Sequence, residues 1–297
     1  MKVLITGATG FIGSNFIKFL SKKKHNFEII TLNRDIEKAN KLFGEMRVLN
    51  LELNNSEIYK KINEIKPTII INFAAYLTSK RDNLSLEKLI EANISYPTKL
   101  LNSIEKGYLK YFFNFGSFAE YMNGTEKLTN AYLYSATKSA FRNILDFYSE
   151  LLNFNYFNLI PYTVYGENDT QKKVIDYIIE SLDNEIPQKM SPGEQVLDFI
   201  HINDLCEYIY RILQIKEKIP NKENLFLGTG KGVSIKELAK LIEQISKKKA
   251  NIEWGAIPYR EKDIMHAVAP VQKNYTYLKW LPKITLDKGV ELYWKNK

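Results

Sequence analysis

Cysteine is almost absent. The sole thiol, Cys206, leaves no partner for an internal disulfide and no ligand set for a Cys-built zinc site. Histidine is nearly as scarce, and His25, His201 and His266 lie too far apart in sequence to suggest a His-rich centre, so no metal is expected. No apolar run approaches the roughly 18–20 residues that span a bilayer. The first seven residues, Met1 to Gly7, reach a glycine too soon for a signal peptide, so the expected address is cytoplasmic, with no membrane partner. Fourteen glycines and nine prolines exclude collagen-like and linker-dominated chains. What is present is ordinary globular composition: 297 residues, 45% hydrophobic and 26% charged, enough for one large domain or two modest ones.

The formal net charge is +8. The lysines are spread, and both triplets, Lys22 to Lys24 and Lys247 to Lys249, fall where a predicted helix ends and cations complement the helix dipole. A small phosphorylated ligand accounts for this mild excess as well as a polynucleotide does, and no nucleic-acid partner is expected.

The first half alternates short β-branched apolar runs with longer helical patterns. Strands are predicted over 2–6, 27–32, 47–49, 68–72, 111–115 and 156–160, with helices over 11–24, 56–65, 84–106 and 132–153. That alternation implies an α/β fold, a Rossmann-type doubly wound parallel sheet with helices on both faces. Continuous apolar runs such as Thr68 to Ile71 fit strands buried on both sides. After about Glu167 shorter helices (174–182, 203–214, 234–246) mix with isolated strands (196–200, 224–227, 251–254), indicating a smaller α/β C-terminal cap. The expected division is 1–166 for a dinucleotide-binding domain, with contributions from about 196–216, and 167–297 mainly for a substrate-binding cap. Ligands of such sheets sit at the carboxyl ends of the strands.

Gly7, Gly10 and Gly13 stand between the first strand and the first helix, in the run Thr6-Gly7-Ala8-Thr9-Gly10-Phe11-Ile12-Gly13. Gly7 permits the sharp turn, Gly10 lets backbone approach a pyrophosphate, and Gly13 allows tight helix–strand packing. The helix N-terminus adds amides and a dipole suited to the anion. At the end of the second strand, Asn33 is uncharged and Arg34 can pair with a 2′-phosphate, so NADP(H) is favoured over NAD(H).

Tyr134 and Lys138, four residues apart on a predicted helix, share one face. A free phenol is a poor acid–base group at neutral pH, and a nearby ammonium is expected to draw its pKa down toward the working range. Ser117 follows a strand at its carboxyl edge, where a hydroxyl can hold a carbonyl oxygen and steady a developing alkoxide.

Together these pieces resemble the extended short-chain dehydrogenase/reductase (NAD-dependent epimerase/dehydratase) family over nearly the whole chain. The matching residues are the glycine run, Asn72-Phe73-Ala74-Ala75, Asn93, Ser117 four residues before Tyr121, Tyr134 with Lys138, and Val164-Tyr165-Gly166. Residues 191–200 and 254–265 look most like 4-keto sugar reductases of the CDP-abequose and CDP-paratose synthase type. The resemblance implies hydride transfer to the 4-keto carbon of a nucleotide-diphosphate-linked deoxy or 6-deoxy-heptose-type sugar, in surface-polysaccharide sugar biosynthesis. It implies Ser117, Tyr134 and Lys138 as catalytic residues. It adds Thr9, Phe11, Ile12, Ala74, Ala75, Asn93 and Pro161 to the cofactor side, where Lys138 also holds the nicotinamide ribose, and Phe118, Thr163, Gln195 and His266 to the substrate side. It also implies a homodimer through the helices at 84–106 and 132–153.

Three positions depart from the family pattern. Leu197 stands where an arginine often meets the substrate diphosphate, so either Arg260 or a lysine of the Lys172-Lys173 pair carries that anion, or the substrate is held differently. Asn72 replaces a common histidine, and Thr163 a common asparagine. The readings that compete with reduction are a 4-epimerase retaining NAD and, from another class, a non-catalytic dinucleotide-sensing or RNA-associated protein. A 4,6-dehydratase fits poorly, because Ser117-Phe118-Ala119-Glu120 lacks an adjacent Asp-Glu pair.

Overall fold

The computed structural model describes residues 1–295 and separates them into two compact units. The first comprises residues 1–121, 126–160 and 216–225; the second comprises 122–125, 161–215 and 226 onward. Packing therefore divides the chain at Ile160, six residues before the expected boundary, and residues 196–215 cluster with the second unit.

A seven-stranded sheet organises the first unit. In chain order its members are β1 (Lys2–Thr6), β2 (Glu28–Asn33), β3 (Val48–Glu52), β4 (Ile69–Asn72), β5 (Tyr111–Phe115) and β6 (Asn155–Pro161), with Glu223–Leu227 at one edge. The spatial order runs from that edge strand through β6, β5, β4, β1 and β2 to β3, and the pairings among β1–β6 are parallel. The direction of winding reverses between β1 and β4, which opens a crevice at their carboxyl ends. Residues 69–71 are wholly buried, as the unbroken apolar run requires of a strand covered on both faces. Phe112, Phe113 and Phe157 are also fully buried, each contributing roughly 1.5–3 kcal/mol of burial free energy.

Helices α1 (Phe11–Ser21), α2 (Ile36–Phe43), α3 (Ile58–Ile65), α4 (Asn83–Ile90), α5 (Tyr96–Ser103) and α6 (Leu133–Leu152) complete the unit. α2 was not expected. Asp35 caps it by accepting the Lys38 amide at 2.8 Å, and Ala39 and Phe43 bury one short face. The single helix expected over 84–106 is broken by a π-turn, Glu91–Ser95, between α4 and α5. α6 ends at Asn153, whose φ of 58° is the left-handed stop that Asn tolerates.

In the second unit, strand Val196–His201 pairs with Thr163–Tyr165, Gly232–Ser234 and His266–Ala267, and Gln188–Met190 pairs with Ile252–Trp254. Helices Val174–Ser181, Ile202–Ile215 and Ile235–Ser246 match their expected positions within two residues. Lys22 and Lys247 stand at the C-caps of their helices, as the dipole argument anticipated. Among the described residues no helix is long and apolar enough to cross a membrane, and no cluster of His, Cys, Asp and Glu is arranged to hold a metal.

Candidate active site

The glycine run is built for close backbone approach. Gly7 has φ of +64°, and a Cβ there would lie 2.5 Å from the Ala74 nitrogen and 2.6 Å from the Phe73 carbonyl carbon. The loops after β1 and β4 thus press backbone to backbone, helped by the Ala74 amide donating to Thr6 Oγ1 at 3.4 Å. A Cβ on Gly13 would sit 2.4 Å from the Gly7 oxygen. Gly10 differs: it is exposed, caps α1 with no side-chain hydrogen bond, and a Cβ would meet only the Gly7 oxygen at 3.2 Å. A helix N-terminus with no side chain filling its mouth fits a pyrophosphate. Thr9, Phe11 and Ile12 are half-buried around it, and Ala75 is exposed beyond Ala74.

At the end of β2, Asn33 is buried. Its amide donates to Thr31 Oγ1 at 2.7 Å and to the Leu51 oxygen at 3.4 Å, while its buried Oδ1 has no partner among the described residues. That orphaned acceptor is suited to a ribose hydroxyl. Arg34 is exposed, and the nearest acid, Asp35, is engaged in capping α2.

Tyr134 and Lys138 lie one turn apart on the buried face of α6, 8% and 5% exposed. Ser117, equally buried, caps a short turn, Phe118–Glu120; its hydroxyl oxygen accepts the Ala119 amide at 3.2 Å. Two backbone bonds tie this turn to the approach to α6: Ala131 N–H to the Ala119 oxygen, and Thr129 N–H to the Glu120 oxygen. Asn93, centred in the π-turn, braces the other side. Its amide donates to the Tyr76 oxygen (3.1 Å) and Thr137 Oγ1 (3.0 Å), and its Oδ1 accepts the Tyr76 amide at 2.9 Å. π-turns concentrate at functional sites, and this one aims Asn93 at the residue before Lys138.

The protonation states differ from the sequence-based expectation. Burial, with Tyr132 and Glu120 nearby, pushes the Tyr134 phenol well above its ordinary range rather than toward neutrality. Burial also lowers the Lys138 ammonium to about 8; Glu120 opposes that shift and Arg142 adds to it. The amine does not draw the phenol down, because desolvation penalises both charged forms at once. At neutral pH Tyr134 is a proton-bearing donor.

The residues expected on the substrate side scatter over both units. Phe118 is half-buried in the Ser117 turn, and Pro161 half-buried at the end of β6. Thr163 is half-buried opposite Phe199. Lys172 pairs with Glu180 at 2.9 Å, whereas Lys173 donates to the Val164 oxygen at 2.7 Å and pairs with Asp169 at 2.6 Å. Both lysines are thus occupied. Asp263 gathers the rest: its Oδ2 accepts Gln195 Nε2 at 3.3 Å and the Arg260 amide at 3.4 Å. The Arg260 guanidinium stays exposed, and exposed His266 lies opposite Val196, beside Gln195. His201 is buried, accepts the Asn203 amide and packs edge-on against Tyr165, a structural placement.

Residues 3–228 match the model of the NAD dependent epimerase/dehydratase family. The chain belongs to that family. Membership makes it an NAD(P)-dependent enzyme, and the resemblance read from the motifs is borne out. It is 29% identical over 267 residues to a CDP-abequose synthase of Yersinia pseudotuberculosis, covering 89% of this chain and 91% of the relative. It is 24% identical over 287 residues to a GDP-6-deoxy-D-talose 4-dehydrogenase of Aggregatibacter actinomycetemcomitans, covering 92% and 90%. Among solved structures it is similar to a UDP-glucuronic acid 4-epimerase of Bacillus cereus in complex with UDP-glucuronic acid and NAD. The TM-score is 0.87 at 20% identity, covering 99% of this chain and 98% of that one, a likeness of fold.

Within this epimerase/dehydratase frame, two site residues escaped the sequence reading. Glu120 is wholly buried beneath the Ser117 turn and ion-paired with Arg142. The signal was available: Arg142 lies four and eight residues beyond Lys138 and Tyr134, so it continues their helix face. The same pairing leaves neither Glu120 oxygen free.

Proposed function

We propose that the protein is an NADPH-dependent nucleotide-sugar 4-ketoreductase, reducing the 4-keto group of a nucleoside-diphosphate-linked deoxy sugar for surface-polysaccharide synthesis. The observation that carries this reading is the buried, proton-bearing Tyr134 phenol one helical turn from Lys138. Reduction of a ketone builds an alkoxide, a far stronger base than a phenolate, so a phenol held beside it can give up its proton even with a raised pKa. The likeness to a CDP-abequose synthase supports the substrate class.

A bound dinucleotide supplies the hydride. The chain's own residues do the remaining work. The Ser117 oxygen accepts the Ala119 amide, so its O–H hydrogen is left to hold the carbonyl oxygen. Tyr134 hands its proton to that oxygen, and Lys138, with a pKa of about 8, exchanges protons near physiological pH to restore the phenol. The Gly7–Gly13 loop holds the pyrophosphate, Asn33 Oδ1 a ribose hydroxyl, and Arg34 the 2′-phosphate that distinguishes NADPH. Arg260 takes the sugar-nucleotide diphosphate, since Lys172 and Lys173 are spent on acids. Exposed apolar side chains on α4 (Leu84, Leu86, Ile90) and α6 (Phe147, Leu151) support a homodimer through these helices. We place the enzyme in the cytoplasm.

The test is incubation with NADPH and a panel of CDP-, GDP- and dTDP-linked 4-keto sugars, followed at the nicotinamide absorbance band. Oxidation of NADPH with at least one of them is expected. Purified protein carrying stoichiometric NAD, and interconverting sugar epimers without added reductant, would establish a 4-epimerase instead.

A further inference from the structure

Glu120 is fully buried, and each of its oxygens is engaged. Oε1 accepts the Ser117 amide at 2.8 Å and Arg142 Nη2 at 3.0 Å. Oε2 lies 2.8 Å from Arg142 Nε and accepts the Ser139 hydroxyl at 3.0 Å. Arg142 Nη1 continues to Tyr121 Oη (2.9 Å) and Asn224 Oδ1 (3.1 Å). Asn224 Oδ1 also accepts Asn158, whose own Oδ1 accepts Asn114, so the network is anchored across neighbouring strands of the sheet. Gly116 is part of the device: a Cβ there would lie 2.5 Å from Glu120 Oε1 and 2.9 Å from Arg142 Nη2.

An ion pair this buried is a poor way to gain stability, because desolvation offsets the Coulomb attraction and apolar side chains of similar volume do as well. Its geometry indicates another use. We propose that Glu120 and Arg142 are positioning residues, the carboxylate holding the Ser117 turn and the guanidinium locking that carboxylate to the helix that bears Tyr134 and Lys138. The proposal rests on the reading of Ser117, Tyr134 and Lys138 as the reacting set. It predicts that turnover follows the oxygen acceptor at position 120, while stability follows whether a buried charge is left unpaired.

Three variants test this: Glu120→Gln, which keeps an acceptor but loses the charge; the double variant Glu120→Leu with Arg142→Leu, which keeps packing but loses both; and Gly116→Ala, which pushes the pair off the backbone. The double variant should lose less stability than Glu120→Gln, which strands the Arg142 charge, and bind NADPH normally, with kcat down by about 100-fold and KM little changed, the loss expected of a reacting group displaced by about 1 Å. Glu120→Gln should be less stable yet keep kcat within about 10-fold, the shortfall of one weakened hydrogen bond. Gly116→Ala should resemble the double variant in kcat, which keeps the test decisive if that variant fails to fold. Hydrogen exchange at the Ser117 amide, which needs no substrate, should speed up in the double variant and in Gly116→Ala but not in Glu120→Gln. Wild-type kcat and exchange in the double variant or in Gly116→Ala, or Glu120→Gln as impaired as the double variant, would overturn the proposal. If wild-type protein reduces no keto sugar while the exchange pattern holds, the reductase reading fails and the positioning role stands.

Discussion

Three glycines in one loop should respond to alanine in three different ways, because each is glycine for a different reason. At Gly7 a Cβ must adopt a left-handed backbone, costing about 1–2 kcal/mol. It also collides with backbone atoms at 2.5 and 2.6 Å that cannot rotate away, an overpacking cost of roughly 1–3 kcal/mol. Gly7→Ala is therefore expected to lose roughly 2–5 kcal/mol. At Gly13 the contact with the Gly7 oxygen is just as hard, 2.4 Å, but the residue lies inside α1 with ordinary φ. Alanine recovers about 1 kcal/mol of helix propensity there, leaving a net loss of roughly 0–2 kcal/mol. Gly10 is exposed at φ −79° and meets nothing nearer than 3.2 Å. Gly10→Ala should cost only about 0.5–1 kcal/mol, the difference between glycine and alanine at an N-cap, while placing a methyl group where the pyrophosphate comes closest, weakening NADPH by about 10-fold or more. Urea unfolding followed by circular dichroism gives the first quantity and titration calorimetry the second. Gly10→Ala losing as much stability as Gly7→Ala, or binding NADPH like wild type, would refute the assignment of the loop.

Tyr134→Phe removes only the donor oxygen, so NADPH binding should persist while turnover on a reducible keto sugar falls by about 10²–10⁴-fold; near-normal turnover would take Tyr134 out of the chemistry. Arg34→Ala should shrink the preference for NADPH over NADH by about 10-fold, the loss of one charge-assisted phosphate contact, with unchanged relative KM values as the contrary result. Lys138 is held near 8 by burial against an ordinary 10.5. Between those values the unfolded chain carries a proton the folded chain lacks, so this residue adds stability as pH rises from about 8 toward 10.5, and its burial is unfavourable below about 8. Wild type should therefore gain on Lys138→Met between pH 7 and 9.5 in urea unfolding, and parallel curves would contradict that. Phe147→Lys with Leu151→Lys should convert a dimer to a monomer in sedimentation experiments; a wild-type monomer at all concentrations would dispose of the helix-mediated interface.

Much of the fold was legible because its signals are local. A short β-branched run such as Ile69 to Ile71, ahead of the next helical pattern, reads as a strand covered on both faces, and it is one. Glycines at 7, 10 and 13 after such a strand describe a turn and a helix start without reference to distant residues. The four-residue spacing of Tyr134 and Lys138 puts them on one face by helix geometry alone. α2 was also legible in principle, since Asp35 ahead of Ile36 with Glu37 following is a helix start, but its eight residues are few for periodicity to register.

What sequence by itself determined, then, is the order and type of the central elements, the glycine loop after the first strand and the helix face that carries Tyr134 and Lys138. Tertiary structure alone decided how those groups are charged and held. At the centre of the π-turn Asn93 reaches Tyr76 and Thr137, 17 and 44 residues away. Arg142 meets Glu120 across 22 residues and Asn224 across 82. The Tyr134 phenol is raised and the Lys138 ammonium lowered because the folded chain strips water from both. Desolvation and long-range pairing are properties of what surrounds a residue in space, and a linear pattern carries no record of that.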